Sequence, residues 1–156
     1  VVRSVSVTTR PMRANEKNGL DYFFTTPKMF LYKIRAGHFL EWARVFDHYY
    51  GTPHKNVNDL LAQGKSVLLC IDVQGAAQIL KKRSDSLAIF IKPPSLKDLE
   101  ARLLKRGTES PASLKTRLDK AKEEMSAAAA YDAVVVNDDL ESACAETERL
   151  IAAQLG

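Results

Sequence analysis

Two arginines and several hydroxyl side chains stand close together near the start of this 156-residue chain. In the stretch SVSVTTRPMR, Arg10 and Arg13 are three residues apart, and Ser6, Thr8 and Thr9 come just before them. Guanidinium groups donate paired hydrogen bonds to phosphate oxygens, and hydroxyls add further donors. The stretch therefore favours a phosphate-binding loop, although a solvated surface loop or a contact to a nucleic-acid backbone would use the same residues.

A second group of side chains could select a guanine base. Glu41 lies in the segment FLEWARV, and Tyr50 and Thr52 follow it in YYGTP. A carboxylate accepts from both N1–H and the 2-amino group of guanine, and a threonine hydroxyl can donate to O6. Adenine has the opposite pattern, so the combination discriminates between the purines. Tyr22 and Tyr50 add phenolic donors for a phosphate. Taken singly, however, Glu41 is more typical of a surface charge, and each tyrosine is more typical of a half-buried core residue.

Asp72 is a candidate for the metal side of a nucleotide site. It follows the apolar run SVLLCI and comes just before a predicted helix. Ligands collect at the carboxyl ends of strands in open α/β sheets, where a carboxylate can hold Mg²⁺ through water. An N-cap of the following helix is the competing interpretation.

Three arginines, Arg102, Arg106 and Arg117, flank a polar break at residues 108–112. Two helices on either side of a short polar turn predict a lid that closes over phosphates. An ordinary helical hairpin with solvated arginines explains this segment better when the segment is taken alone.

The elements that must position these side chains alternate between strands and helices. Predicted strands cover residues 2–7, 22–24, 39–45, 66–71, 87–91 and 133–136. Predicted helices cover residues 27–37, 53–64, 75–83, a segment after residue 95, a long segment ending near residue 130, and 140–155. Thr26-Pro27 and Thr52-Pro53 give the same helix-start signal. Continuous apolar strands such as SVLLCI and LAIFI are typical of buried parallel strands, so an α/β parallel sheet is expected.

Composition limits the classes of function. The chain is 46% hydrophobic and 27% charged, which suits a compact unit with a core. It has no apolar run of eighteen residues, so we expect no membrane span. The net charge of +4 is spread along the chain and does not itself indicate a nucleic-acid partner. Cys70 and Cys144 are far apart, which favours a reducing, cytoplasmic location over a disulfide or metal cluster.

The order and spacing of these segments resemble guanylate kinases. The matching segments are SVSVTTRPMR, Glu16, DYFF, FLEWA, YYGTP, IDVQGA, FIKPPS, RGTES and VNDDL. The resemblance implies a P-loop NTPase-like parallel sheet flanked by helices, with a mixed α+β GMP-binding insertion and a short helical lid. It implies one structural unit with a core of residues 1–7, 66–105 and 118–156, a GMP-binding region of residues 8–65 and a lid of residues 106–117.

The resemblance also implies the reaction in which ATP and GMP, or dGMP, give ADP and GDP in purine nucleotide metabolism, with Mg²⁺ as the cofactor. The residues implied to bind guanine are Ser6, Glu41 and Thr52. Those implied to bind the GMP phosphate are Arg10, Arg13, Tyr22 and Tyr50. The implied catalytic residues are Arg106, Arg117 and Asp72, with Asp72 holding the metal through water. On the ATP side, the implied residues are Arg102, Arg106, Arg117 and Asn137. A cytoplasmic monomer or homodimer is expected, with no nucleic-acid or membrane partner.

Two features depart from the family pattern. Cys70 stands two residues before Asp72, where the pattern has an acidic residue, which predicts a weaker or rearranged contact there. The phosphate-loop motif G-x-x-x-x-G-K-[ST] is absent from the 156 residues, and its backbone amides would cradle the ATP phosphates. We therefore expect a piece of a longer enzyme that lacks its N-terminal part, binds GMP better than ATP, and is catalytically impaired as it stands.

Two other classes of protein compete with this interpretation. A catalytically inactive guanylate-kinase-like module would bind phosphorylated protein segments in the GMP region, and the missing phosphate loop favours it. The set of guanine-binding residues disfavours it, because a phosphopeptide needs the arginines but not Glu41 or Thr52. A basic nucleic-acid-binding domain is supported by net charge alone.

Overall fold

The structure, a computed structural model, describes residues 1–83, 85–105 and 111–156. The chain divides into two compact units, Val1–Ser84 and Asp85–Gly156. The predicted α/β class is confirmed in both units, where strands alternate with helices and parallel strand pairs occur.

The first unit contains six strands and three helices among its described residues. The strands are β1 (Val2–Arg3), β2 (Val7–Thr8), β3 (Phe23–Phe24), β4 (Phe39–Val45), β5 (His48–Pro53) and β6 (Val67–Leu68). The helices are α1 (Pro27–Arg35), α2 (His54–Ala62) and α3 (Val73–Lys82). Strands β1 and β6 form a parallel pair, and the other four form a sheet in the order β3-β2-β5-β4. Strand β4 therefore lies at an edge of that sheet.

The single strand predicted over residues 2–7 is in fact two short strands in two sheets. The chain changes partners between Ser4, whose N–H donates to Leu68 O at 3.0 Å, and Ser6, whose carbonyl accepts from Phe23 N–H at 2.9 Å. The alternation of valines and polar residues continues through this change of partner. Such a pattern does not specify which strand is the partner, so it does not predict the change. Residues at the crossing thus lie beside both sheets.

The two matching helix-start signals have different outcomes. Thr26 caps α1, accepting from Met29 N–H at 3.3 Å. Thr52 was also predicted to cap a helix, and that prediction is wrong. Thr52 lies in β5, directly opposite Glu41 of β4, and α2 begins at His54 after Pro53, which supplies no side-chain cap. The β4–β5 pairing takes precedence over the local capping signal.

Apolar packing holds the strands and helices of the first unit together. Leu40, Val57 and Ile79 are buried in one cluster contributed by β4, α2 and α3. Phe30 of α1 is fully buried and stacks on Phe39 and Tyr49, with ring centroids 4.5 and 5.4 Å away. The core therefore fixes β4 and β5, which carry the candidate guanine-binding residues.

The second unit contains two parallel strands and three α-helices among its described residues. These are β7 (Ile89–Lys92), α4 (Leu96–Lys105), α5 (Pro111–Ser126), β8 (Ala133–Val136) and α6 (Leu140–Leu155). The helix predicted to end near residue 130 ends as an α-helix at Ser126 and continues as a 3₁₀ turn, Ala127–Ala130. Among the described residues, no helix has the length and apolar character needed to cross a membrane.

Candidate nucleotide site

Five of the predicted site residues line one cavity in the first unit. The cavity has a volume of about 260 Å³. The five are Ser6, Tyr22, Glu41, Tyr50 and Asp72. A larger cavity of about 400 Å³ lies at the ends of α1 and α2, and no carboxylate or tyrosine lines it. The smaller cavity is the candidate site, because several polar groups of different chemistry converge on it.

Glu41 is a buried carboxylate at the wall of this cavity. Its side chain comes from β4, and Thr52 faces it from β5 and donates a hydrogen bond from Oγ1 to Glu41 Oε1. Burial, with a smaller contribution from the charge of Asp72, raises the pKa of Glu41 above its ordinary value. Burial is the larger effect, and the bond from Thr52 partly opposes it. The pair thus forms one polar unit inside the sheet.

Thr52 is fully buried, and its hydroxyl proton is directed to Glu41. In this arrangement Thr52 contributes to the cavity by orienting the carboxylate. The predicted contact between Thr52 and guanine O6 would need Oγ1 to change its partner, and it stays a prediction.

Asp72 lines the cavity and also caps α3. Its Oδ1 accepts from Gly75 N–H at 2.9 Å, and its Oδ2 accepts from Gln74 Nε2 at 3.1 Å. The N-cap interpretation is confirmed, and it is compatible with the predicted role at the metal. No cluster of three or more histidine, cysteine or acidic side chains suited to a metal occurs in the part of the chain that the structure describes. Asp72 would therefore need water and substrate oxygens to complete a metal site.

Arg10 is held in place by an acidic residue and two aromatic rings. Its Nη2 donates to Glu16 Oε1 at 2.5 Å, and both side chains are largely buried, with 12% and 14% exposed. The guanidinium carbon lies 5.6 Å from the ring centroid of Tyr22 and 5.8 Å from that of Phe24. The Glu16 hydrogen bond raises the pKa of Arg10 and lowers that of Glu16. Arg10 is therefore a fixed charge beside Tyr22 of the cavity wall.

Arg13 is positioned differently from Arg10. Its backbone N–H donates to Glu16 Oε2 at 2.8 Å, whereas its side chain is 66% exposed and its Nη1 is 4.0 Å from Glu16 Oε1. Neither arginine is among the residues that line the cavity. Glu16 thus bonds to both ends of the Arg10–Arg13 loop, with one carboxylate oxygen on each.

Tyr22, Tyr50 and Cys70 form a further part of the cavity wall. The two tyrosine rings pack edge to face with centroids 6.0 Å apart. Burial is the main cause of a raised pKa at Tyr22, so its hydroxyl stays a donor at neutral pH. Cys70, at the position where an acidic residue was expected, is exposed and lines the cavity.

The second unit holds the residues predicted for the ATP side. Arg102 of α4 donates from Nη2 to the carbonyl of Asp138, the residue that follows Asn137 in the chain, at 3.1 Å. Asn137 follows β8, and its N–H donates to Lys92 O at 2.8 Å. Arg117 is a half-buried residue of α5. Arg106 lies outside the described residues, as do residues 107–110 of the predicted lid.

Three residues of the site received no role from the sequence. Glu16 could have been found, because an acidic residue three positions after Arg13 and six after Arg10 suggests an ion pair. Gly75 and Gln78 could not have been found, because their importance comes from contacts with β4, more than thirty positions away. Gln78 Nε2 donates to Trp42 O at 2.7 Å, and Trp42 N–H donates back to Gln78 Oε1 at 3.3 Å.

Comparison with known proteins places this chain in a family. The family model described as "Guanylate kinase" matches residues 1–154. The chain belongs to the guanylate kinase family. It is 50% identical over 143 residues to a guanylate kinase of Thermotoga maritima, covering 92% of this chain and 69% of that protein. A guanylate kinase of a Synechococcus strain is 46% identical over 148 residues, covering 95% of this chain and 68% of that protein.

A solved structure agrees with this membership. The crystal structure of guanylate kinase from Anaplasma phagocytophilum matches 99% of this chain and 77% of its own chain, with a TM-score of 0.83 and 39% sequence identity. The fold and the family expected from the sequence are therefore both confirmed.

Proposed function

We propose that the cavity of the first unit binds GMP or dGMP, and that the chain takes part in the transfer of the ATP γ-phosphate to that nucleotide. Family membership supports a phosphotransferase of this type. The observation that carries the choice of GMP is the buried Glu41 carboxylate, which Thr52 orients, at the wall of a cavity that Ser6 and Asp72 also line. A carboxylate there accepts from the two donors on the guanine edge and repels the acceptor at N1 of adenine.

The GMP phosphate would lie toward Arg10, Tyr22 and Tyr50. Arg10 supplies a fixed positive charge, and Arg13 has an exposed guanidinium that can approach a bound phosphate. Because an ordered donor loses little conformational entropy on binding, Arg10 would contribute orientation as well as charge. Arg13 would pay a larger ordering cost for the same type of contact.

Asp72 would hold Mg²⁺ through water, and the donor chemistry fits this ion. Magnesium is commonly held by one or two carboxylates together with waters and substrate phosphates, and Asp72 offers one carboxylate at the cavity wall. The bound ion would neutralise phosphate charge. Each Asp72 oxygen accepts one hydrogen bond within the protein, which fixes its direction. Cys70 offers no second carboxylate at the neighbouring position, so the metal contact is proposed to rest on Asp72.

Arg102, Arg106, Arg117 and Asn137 are proposed for the ATP side, by their match to the family pattern. Phosphoryl transfer depends on positioning and on neutralising charge on the phosphates, so arginines are suitable residues. A cytoplasmic location and a monomeric or homodimeric state stay predictions.

Calorimetric titration of the chain with GMP, with AMP as the control, tests the binding proposal. Selective binding of GMP is expected. A folded protein that binds neither nucleotide would refute the proposal and would favour a module that binds phosphorylated protein segments. A coupled assay of ADP release, with ATP and Mg²⁺ present, separately measures whether this chain turns GMP over.

A further inference from the structure

Gly75 lies in the first turn of α3 against the carboxylate of Glu41. If position 75 carried a side chain, its Cβ would overlap Glu41 Oε2, would lie 3.0 Å from Glu41 Cδ, and would be 3.3 Å from Ile71 Cβ. Contacts of a Cβ below 3.0 Å are essentially absent from real proteins, so the overlap with Oε2 would force a shift. Glu41 therefore occupies the space that any other residue at position 75 would need.

Burial and a hydrogen bond hold Glu41 in its present position. It is only 3% exposed, and its Oε1 accepts from Thr52, whose side chain is fully buried. Close-packed interiors relax only in part when volume is added, and the usual result is displaced side chains or backbone. A side chain at position 75 would therefore push the carboxylate out of its present place.

Helix α3 is also held against β4, so it cannot simply move away. Gln78 exchanges two hydrogen bonds with the backbone of Trp42, at 2.7 and 3.3 Å. Lys82 Nζ donates to the carbonyl of Leu40. Leu40 and Trp42 are the two neighbours of Glu41 in β4, so these contacts fix the helix on both sides of the carboxylate.

The backbone at position 75 does not itself require glycine. Gly75 lies within α3 and does not have the positive φ that the structure records at Gly37 and Gly64. Glycine is a poorer helix former than alanine, so the chain accepts an unfavourable helical residue here. Clearance for Glu41 is the reason that the geometry supplies.

We propose that Gly75 is a positioning residue that determines specificity for guanine. By leaving its Cβ position open, it allows the Glu41 carboxylate to lie against the first turn of α3 while lining the cavity. This proposal rests on the proposed function, because it requires GMP to bind in the cavity that Glu41 lines.

Binding of GMP and of inosine monophosphate to Gly75→Ala tests the specificity part. Inosine monophosphate keeps N1–H, O6, the ribose and the phosphate, but it lacks the 2-amino group. Inosine monophosphate would therefore make one hydrogen bond fewer to the carboxylate. We expect the unchanged protein to prefer GMP by about 10- to 100-fold in Kd. In Gly75→Ala we expect that ratio of dissociation constants to fall toward one. A general loosening of the fold would weaken the binding of both ligands equally. An unchanged ratio of dissociation constants in folded Gly75→Ala would therefore overturn the proposal.

The matched control is Ala77→Gly, two positions along the same helix. Ala77 is exposed, and this change exchanges the same two residue types without touching Glu41. It should lower the melting temperature slightly and leave the ratio of GMP to inosine monophosphate binding unchanged. A change in the ratio as large as that of Gly75→Ala would mean that helix stability, and not clearance, controls specificity.

Thermal unfolding tests the clearance independently of any ligand. Gly75→Ala is compared in three backgrounds: the unchanged protein, Glu41→Gln, which keeps the side-chain volume, and Glu41→Ala, which removes it. We expect a lower melting temperature in the first two and an unchanged or higher one in the third. Equal shifts in melting temperature in all three backgrounds would refute the claim that Gly75 leaves space for Glu41.

The two experiments separate the two proposals. If Gly75→Ala alone does not fold, recovery in the Glu41→Ala background still supports the clearance. If the unchanged protein binds neither nucleotide, the proposed function and the role of Gly75 in specificity fail together. The unfolding comparison would still show whether Gly75 leaves space for Glu41.

Discussion

Replacing Glu41 with glutamine should separate nucleotide binding from stability. Glutamine has nearly the same shape, and its carbonyl oxygen can still accept from Thr52 Oγ1. Its amide nitrogen, however, would present a donor to a guanine edge that already offers donors. Losing one hydrogen bond to a charged group costs about 1.5–3 kcal/mol, which corresponds to a rise of about 10- to 100-fold in the Kd for GMP. The affinity for AMP should be unchanged or slightly improved.

The same change should reveal the cost of burying Glu41. Burial raises the pKa of this carboxyl in the folded protein above its unfolded value of about 4.3. The folded state therefore binds the proton more tightly than the unfolded state does. The stability that this group contributes is fully present below the unfolded pKa and is lost as the pH rises through the raised folded pKa. Because glutamine does not titrate, Glu41→Gln should gain stability relative to the unchanged protein over this range.

Urea unfolding of both proteins from pH 4.5 to pH 8, together with calorimetry for GMP and AMP, measures the two effects. We expect the variant to be at least as stable as the unchanged protein at pH 7 and much weaker in GMP binding. Unchanged GMP affinity would remove Glu41 from the base site. A stability difference that does not vary with pH would refute the argument from burial.

Three further variants test other parts of the site and the core. Arg13→Ala should raise the Kd for GMP by about tenfold or more, as for a charge-assisted bond, and hardly affect guanosine, so equal losses measured by calorimetry would mean a structural role. Glu16→Gln should weaken GMP binding, because Arg10 loses the charged partner that orders it. Tighter binding in the same titration would show that repulsion between Glu16 and the phosphate is the larger effect. Phe30→Ala should lower the free energy of unfolding in urea by about 3–5 kcal/mol, because Phe30 is fully buried and stacks on two other rings. A loss below about 1 kcal/mol would contradict this packing.

Local pattern was sufficient for much of the fold. The strands predicted at residues 39–45 and 133–136 have those bounds in the structure, because alternating or continuous apolar residues directly reflect which faces are buried. Thr26 was predicted as a helix-start residue, and its hydroxyl accepts from the backbone N–H of Met29, three positions later. Such contacts involve neighbouring residues, so the sequence contains all of the information they need.

Long-range pairing was the part that local pattern could not supply. Thr52 carries the same start signal as Thr26, yet it pairs with Glu41 in a hairpin. The valine alternation near the N-terminus continues across two sheets without marking the change of partner. The clearance at Gly75 depends on a carboxylate 34 positions earlier in the chain. These features depend on which elements contact each other in the folded chain, and a single sequence does not specify those contacts.

The site residues illustrate the same distinction. Five predicted residues line one cavity because the family resemblance already combined long-range information from a known fold. Their individual roles stay predictions. Glu16 was present in the resembling segments without a role, and its bonds to Arg10 and Arg13 became visible only with the loop's geometry.

The contacts between α3 and β4 have a consequence for the solubility of the folded chain. An edge strand leaves backbone N–H and C=O groups open to pairing with a strand of another molecule, which is a common route to aggregation. Here the side chains of Lys82, Gln78 and Gln74 bond to the backbone of residues 40, 42 and 44, one after another along β4. The helix thus occupies the outward-facing backbone groups of an edge strand that would otherwise be a template for a neighbouring copy. The contacts that hold Glu41 in place also protect the sheet from growing by one more strand.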